Sequence, residues 1–128
     1  MFKLVEERTA WQKVQWGGLT EEGERVDHEI EMQFLLLQRD SYVELQRQAA
    51  ELDRMDADEA GANVSTRLAK FGIRIIRDWK GVQEANGDPI KFSESALARF
   101  FNVAGTFEAF IRAYREAMSG AKDARAGN

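Results

Sequence analysis

Side chains able to do acid–base, nucleophilic or metal chemistry are few in this chain. There is one histidine, His28, and no cysteine. A Ser-His-Asp relay needs a carboxylate and a nucleophile converging on that one imidazole. A zinc site with two or more histidine or cysteine ligands cannot be built within one copy. His28 falls between Val26 and Ile30 in a run where apolar and acidic residues alternate, so it reads as a packed or edge-strand histidine. Asp27, Glu29 and Glu31 form an acidic row on the opposite face of the same run. Paired carboxylates act as acid and base only where a cleft separates their pKa values. On an open strand they are solvated, and they discourage edge-to-edge pairing.

Three further clusters resemble sites and lack a necessary part. Asp53, Asp56, Asp58 and Glu59 lie close together, but without the central glycine and closing bidentate glutamate of a calcium loop. They read as helix-end residues, acidic where the macrodipole favours it. Gly17-Gly18 lead into a strand with no Lys-Ser or Lys-Thr pair after them, which rejects a phosphate loop and suggests positive φ in a hairpin connection. Arg67, Lys70, Arg74 and Arg77 step along one side of an expected helix, with Lys80 following, as a solvated face or a strip for an acidic partner.

The elements that would position these residues follow from periodicity. Phe2 and Leu4, then Trp11, Val14 and Trp16, give weak strand material. Val26, His28, Ile30, Met32, Phe34 and Leu36 alternate with polar residues, which predicts a strand with one buried face. Leu35 and Leu37 break the alternation and suggest cover on both faces at the strand's end. Asp40-Ser41, with Glu44 three residues after Ser41, predict a capping box and a helix carrying Tyr42, Leu45, Ala49, Leu52 and Met55 on one face. Val64, Leu68, Phe71, Ile75 and Trp79 recur at three- and four-residue steps and predict one continuous helix, with Gly72 marking a close approach. A turn-rich connector follows, centred on Asn86-Gly87-Asp88-Pro89. Phe92 and Ser93 open the next helix, Gly105-Thr106 interrupts it, and Phe107, Phe110, Ile111, Tyr114 and Met118 continue at helical spacing.

The reading is a single α+β domain over about residues 1–119. An N-terminal antiparallel strand pair or small meander (about 2–37) precedes four to five helices (about 41–119). Residues 120–128, small and charged, read as a flexible tail. The 128 residues suit one domain, and 44% hydrophobic with 31% charged residues argues against wholesale disorder. A net charge of −4 weighs against binding nucleic acid by phosphate neutralisation. The N-terminus carries charge by residue 3, and the longest apolar block is residues 34–37. Neither a signal peptide nor a membrane span is expected, and the chain reads as a cytoplasmic protein.

The aromatic residues are the most informative. Phe100 and Phe101 are adjacent, so on a helix they point about 100° apart. Phe107, Phe110, Ile111 and Tyr114 likewise subtend a broad arc. Most must be core, and a face left over would serve partner binding or self-association.

One ordered set of residues also carries a resemblance. Trp79, Gly81 and Val82 are followed by Asn86, Gly87 and Pro89, then Phe92, Ser93 and Leu97, then Ala109, Phe110, Ile111, Ala113 and Tyr114. This order resembles the tail assembly chaperones of long-tailed bacteriophages, closely over about the last third of the chain. The resemblance implies a non-catalytic protein of phage or prophage origin, acting in the host cytoplasm without cofactor or metal. Its partners would be the tape measure protein and the major tail protein, and self-association into a homo-oligomer is a further expectation. Phe100, Phe101, Phe107, Phe110 and Tyr114 are the expected partner-binding residues, with Arg74 and Arg77 steering an acidic segment. The alternative within the binding class is a minor phage structural protein, for head–tail joining or tail completion, retained in the virion. A small hydrolase using Asp27, Glu29 or His28, and a DNA-binding regulator, are weaker rivals.

Overall fold

A computed structural model describes residues 1–4, 7–54 and 63–120 of the chain. Met55, Gly61, the acidic residues Asp56, Asp58 and Glu59, and the tail from residue 121 onward lie outside the described residues. The fold is α+β, as the residue pattern predicts. Strands β1 (Arg8–Leu19) and β2 (Arg25–Leu36) precede helices α1 (Arg39–Asp53) and α2 (Val64–Gly72). Strand β3 (Ile76–Lys80) and helices α3 (Glu94–Phe101) and α4 (Thr106–Ser119) follow.

β1 and β2 form an antiparallel hairpin in which Val14 faces Ile30 and Trp16 faces His28. Its loop is closed by Thr20 N–H donating to Glu24 O (2.8 Å) and Gly23 N–H donating to Thr20 O (2.9 Å). The positive φ that this turn needs is at Gly23, not at Gly17 or Gly18, which are paired residues inside β1. Gly18 instead makes room for a side chain: a Cβ there would lie 3.2 Å from His28 Nε2. The alternation along β2 holds, with Ile30, Met32 and Phe34 buried and Asp27 and Glu29 exposed. Trp11 falls on the outer sheet face, opposite Val14 and Trp16, where the Lys80 ammonium sits 4.0 Å from its ring centroid.

The predicted helix running on to Trp79 is instead a helix, a turn and a strand. α2 stops at Gly72, where a Cβ would come within 3.0 Å of both Leu97 Cδ2 and Phe101 Cε2. Close approach is therefore the role of this glycine, and what approaches is a pair of side chains from α3. Residues 73–75 turn the chain, and β3 then adds antiparallel to β2 beside residues 31–34. Leu35 N–H donates to Ile75 O at 2.8 Å, extending the pairing. The misleading signal is a bulge. Phe34 pairs with Ile76 and Gln33 with Asp78, so one extra residue lies between them. Ile76 and Trp79 therefore both point inward three residues apart, which imitates helical spacing in a strand.

Helix starts follow local chemistry in two cases and depart from it in one. Ser93 caps α3, its Oγ accepting from Ala96 N–H at 3.0 Å. Gly105, at φ +89°, precedes α4, and the buried Thr106 Oγ1 donates to Phe100 O at 2.8 Å, stitching α4 to α3. α1 begins at Arg39 behind Gln38 without a side-chain cap, so the Ser41–Glu44 capping box does not form. Glu44 is drawn instead to the guanidinium of Arg47, one turn on.

The helices cover one face of the sheet, and the other face is solvated. Between sheet and helices the rings run in series. Trp16 meets Phe100, Phe100 meets Phe101, Phe101 meets Phe110, and Phe110 meets Phe34, with centroids 5.2–5.9 Å apart. Phe34 then meets Tyr114 edge-on at 5.1 Å. Each such pair contributes about 0.5–1.5 kcal/mol beyond the area it buries. The outer edge of β1 is also tied to α4. Arg112 Nη2 donates to Gln15 O (3.0 Å), and Gln12 Nε2 donates to Glu116 Oε2 (3.2 Å). A helix clamped there shields an edge strand from pairing with other chains.

Candidate functional site

The candidate acid–base residues do not converge. His28 stacks on Trp16, with centroids 5.4 Å apart and planes 29° from parallel. Asp27 and Glu29 project from the other face of β2, because successive strand side chains alternate. Glu29 accepts from Gln15 Nε2 across the hairpin at 2.7 Å. The shallow depression lined by Gln15, Trp16, Asp27, His28 and Glu29 therefore wraps around a strand and encloses nothing. Among the described residues no group of three or more His, Asp or Glu side chains is placed to hold a metal ion. Among the described residues no helix is long and apolar enough to cross a membrane.

The residues expected to bind a partner lie elsewhere than the pattern suggested. Phe100, Phe101, Phe107, Phe110 and Tyr114 are all buried, Phe110 completely. The broad apolar arc of α3 and α4 is used up by core contacts from several directions: the sheet, α2 and each other. No leftover aromatic face exists on these two helices. The basic stripe is likewise divided. Arg67 and Lys70 are on α2, Arg74 is in the turn and Arg77 is on β3. Arg74 donates to Gln48 Oε1 on α1, and Arg77 Nη1 reaches the Arg74 carbonyl at 3.5 Å.

The connector that carries much of the family resemblance has a structural task. Trp79 Nε1 donates to Ile90 O at 2.7 Å, and Ile90 N–H donates to Val82 O at 2.9 Å. Gly87, at φ +93°, closes the turn, and Asp88 N–H donates to Asn86 Oδ1 at 3.0 Å. Glu84 reaches forward to Arg99 on α3, its Oε1 accepting from Nη2 at 2.7 Å. These contacts fold the loop on itself and tie it to the last turn of α3.

An open groove with a mixed apolar and polar lining is at the far end of the hairpin. There the end of β2, the first turns of α1 and the last turn of α4 surround a groove of about 790 Å³. Leu36, Leu37, Tyr42 and Met118 are half-buried along it, and Val43 is 58% exposed. Phe2 and Leu4 reach the groove from the N-terminal side while remaining 68% and 92% exposed. Arg8, Arg39 and Arg115 stand on its rim. Among the described residues no aspartate or glutamate lines it.

Tyr114 holds this groove's floor in place. Its hydroxyl donates to Leu35 O (2.7 Å) and accepts from Leu37 N–H (3.2 Å), so a carbonyl near the end of β2 and the first amide beyond it are both satisfied. Burial pushes the phenol up to about 12; the Leu37 amide opposes that shift and the nearby Tyr42 adds to it. The sequence held one sign of the groove, the break in alternation at Leu35 and Leu37. It marks where the strand leaves the core, with cover that is incomplete rather than doubled.

No family model, curated protein or solved structure matches this chain. The arrangement itself offers shape and apolar area, with no converging acid–base or metal-binding set among the described residues.

Proposed function

We propose that this protein is a non-catalytic binding protein that receives an apolar segment of a partner in the groove between α1, α4 and the end of β2. The observation that supports this is the groove itself, an open trough with Leu36, Leu37, Tyr42, Val43 and Met118 along it and polar side chains around it, in a chain whose other large hydrophobic side chains are mostly consumed by one core. The ordered residues from Trp79 to Tyr114 give the reading its specific form, a tail assembly chaperone. In that role the protein holds the helical tape measure protein soluble in the host cytoplasm while the major tail protein assembles around it. Reversible capture suits an open trough, because a partner seated on one side can be displaced from the other.

The test is co-expression with the long helical tape measure protein of the same genome, followed by solubility and pull-down measurements. A soluble tape measure protein that co-purifies with the chain is the expected result. A tape measure protein that stays insoluble and unbound beside a folded chain would overturn the chaperone role. A structural subunit retained in the virion would then be the reading to pursue, by looking for the chain in purified particles.

A further inference from the structure

We infer that the groove selects an amphipathic helix whose apolar stripe is flanked by acidic residues. The inference rests on the proposed binding role and adds the chemistry of the occupant. Charge is the first observation. The chain carries a net charge of −4, yet Arg8, Arg39 and Arg115 rim the groove and, among the described residues, no carboxylate lines it. All three arginines are exposed, and none is in an ion pair with a carboxylate of the described residues. The rim therefore complements a negatively charged partner on a chain that is acidic overall, which favours that partner's approach to this face.

Backbone satisfaction is the second. A strand could dock only by pairing with free amides and carbonyls. At the end of β2, Leu35 O and Leu37 N–H are already taken by the Tyr114 hydroxyl. At that end of β2 an occupant that satisfies its own backbone, as a helix does, is therefore favoured over a strand. The third is openness. A small ligand is held where most of its surface is enclosed, whereas Val43, Phe2 and Leu4 leave this trough uncovered along its length. Anchors at i, i+3 or i+4 and i+7 of a helix would rest on Leu36, Leu37, Tyr42, Val43 and Met118.

The test uses the full chain and two fluorescently labelled peptides. Both carry the same Leu/Phe stripe at helical spacing, one flanked by glutamate and the other by lysine. Anisotropy titrations at low salt should show the acidic peptide binding roughly tenfold more tightly, as expected for a few exposed charge pairs. The gap should narrow as salt rises. Arg39→Glu with Arg115→Glu should reverse the preference, and Val43→Asp should weaken both peptides. All these positions are exposed, so circular dichroism should show each variant folded. Equal binding of the two peptides, or preference unchanged in the arginine variant, overturns the inference. So does concentration-dependent dimerisation abolished by Val43→Asp, which would make a second copy the occupant. Tape measure capture that survives Val43→Asp also overturns it while leaving the chaperone role intact. Peptide selectivity without tape measure capture overturns the chaperone role alone.

Discussion

Replacing Tyr114 by phenylalanine should change how stability depends on pH. The ring is 2% exposed and packs edge-on against Phe34, so Tyr114→Phe keeps the packing and removes only the hydroxyl. At neutral pH the variant loses a donor to Leu35 O and an acceptor for Leu37 N–H, a cost of about 1–3 kcal/mol. The ionisation adds a second signature. The phenol titrates at about 12 in the fold against 10.0 ordinarily, because burial disfavours the phenolate. The folded state thus holds the proton more tightly than the unfolded chain does. The resulting stabilisation is fully present below pH 10 and is lost as pH rises through 12. Two pKa units at about 1.36 kcal/mol each make it roughly 3 kcal/mol. Urea unfolding of both proteins, followed by circular dichroism between pH 8 and about 11.5, measures the difference between them. Other groups that titrate there are common to both and cancel. The wild-type advantage should shrink steadily above pH 10. Parallel curves across that range would refute the assignment of a buried, hydrogen-bonded phenol.

Three other perturbations test the packing. Gly72→Ala should destabilise the chain despite the higher helix propensity of alanine. The new Cβ meets Leu97 and Phe101 at 3.0 Å, and overpacking of about 1–3 kcal/mol exceeds a propensity gain of at most about 1 kcal/mol; a lower urea midpoint checks this. Phe110→Asp places an uncompensated carboxylate in the centre of the core, so it should abolish cooperative unfolding in a thermal melt rather than selectively remove partner binding. Trp79→Phe leaves Ile90 O without its donor and should cost about 1–2 kcal/mol, with faster amide exchange over residues 82–90 than elsewhere.

What could be read before the structure was whatever depends on local period and local caps. The strand from Val26 to Leu36 was legible because one buried face forces strict alternation. The start of α3 was legible at Ser93 because a side-chain oxygen there satisfies a helix amide directly. The third strand was not. A bulge beside Phe34 shifts Ile76 and Trp79 into a spacing of three, and only pairing with β2, some forty residues away, reveals that the segment is extended. The capping box failed for a related reason: Glu44 has a nearer cation in Arg47. Helical apolar spacing correctly placed Phe100, Phe101, Phe107, Phe110 and Tyr114 on helices. It could not say how many directions the core would come from, and here sheet and helices together cover the whole arc.

That same outcome explains why the groove escaped sequence reading and what kind of binding it suits. Its described parts are Phe2, Leu4 and Arg8 with residues from 36–46 and 115–120, stretches with no common period. With the rings of α3 and α4 committed to the core, the surface left for a partner is mainly aliphatic, with Leu36, Leu37, Val43 and Met118 beside the Tyr42 edge and the exposed Phe2 ring. Rigid aromatic anchors are the usual source of tight, slowly dissociating interfaces. Leucine and methionine side chains adapt to more than one occupant and contribute less per contact. An open aliphatic trough ringed by solvated arginines should therefore bind by fast electrostatic approach and shallow burial, and release readily when salt or a competing subunit intervenes. The chaperone role proposed above would need those kinetics, and a surface built from the five buried aromatics would oppose them.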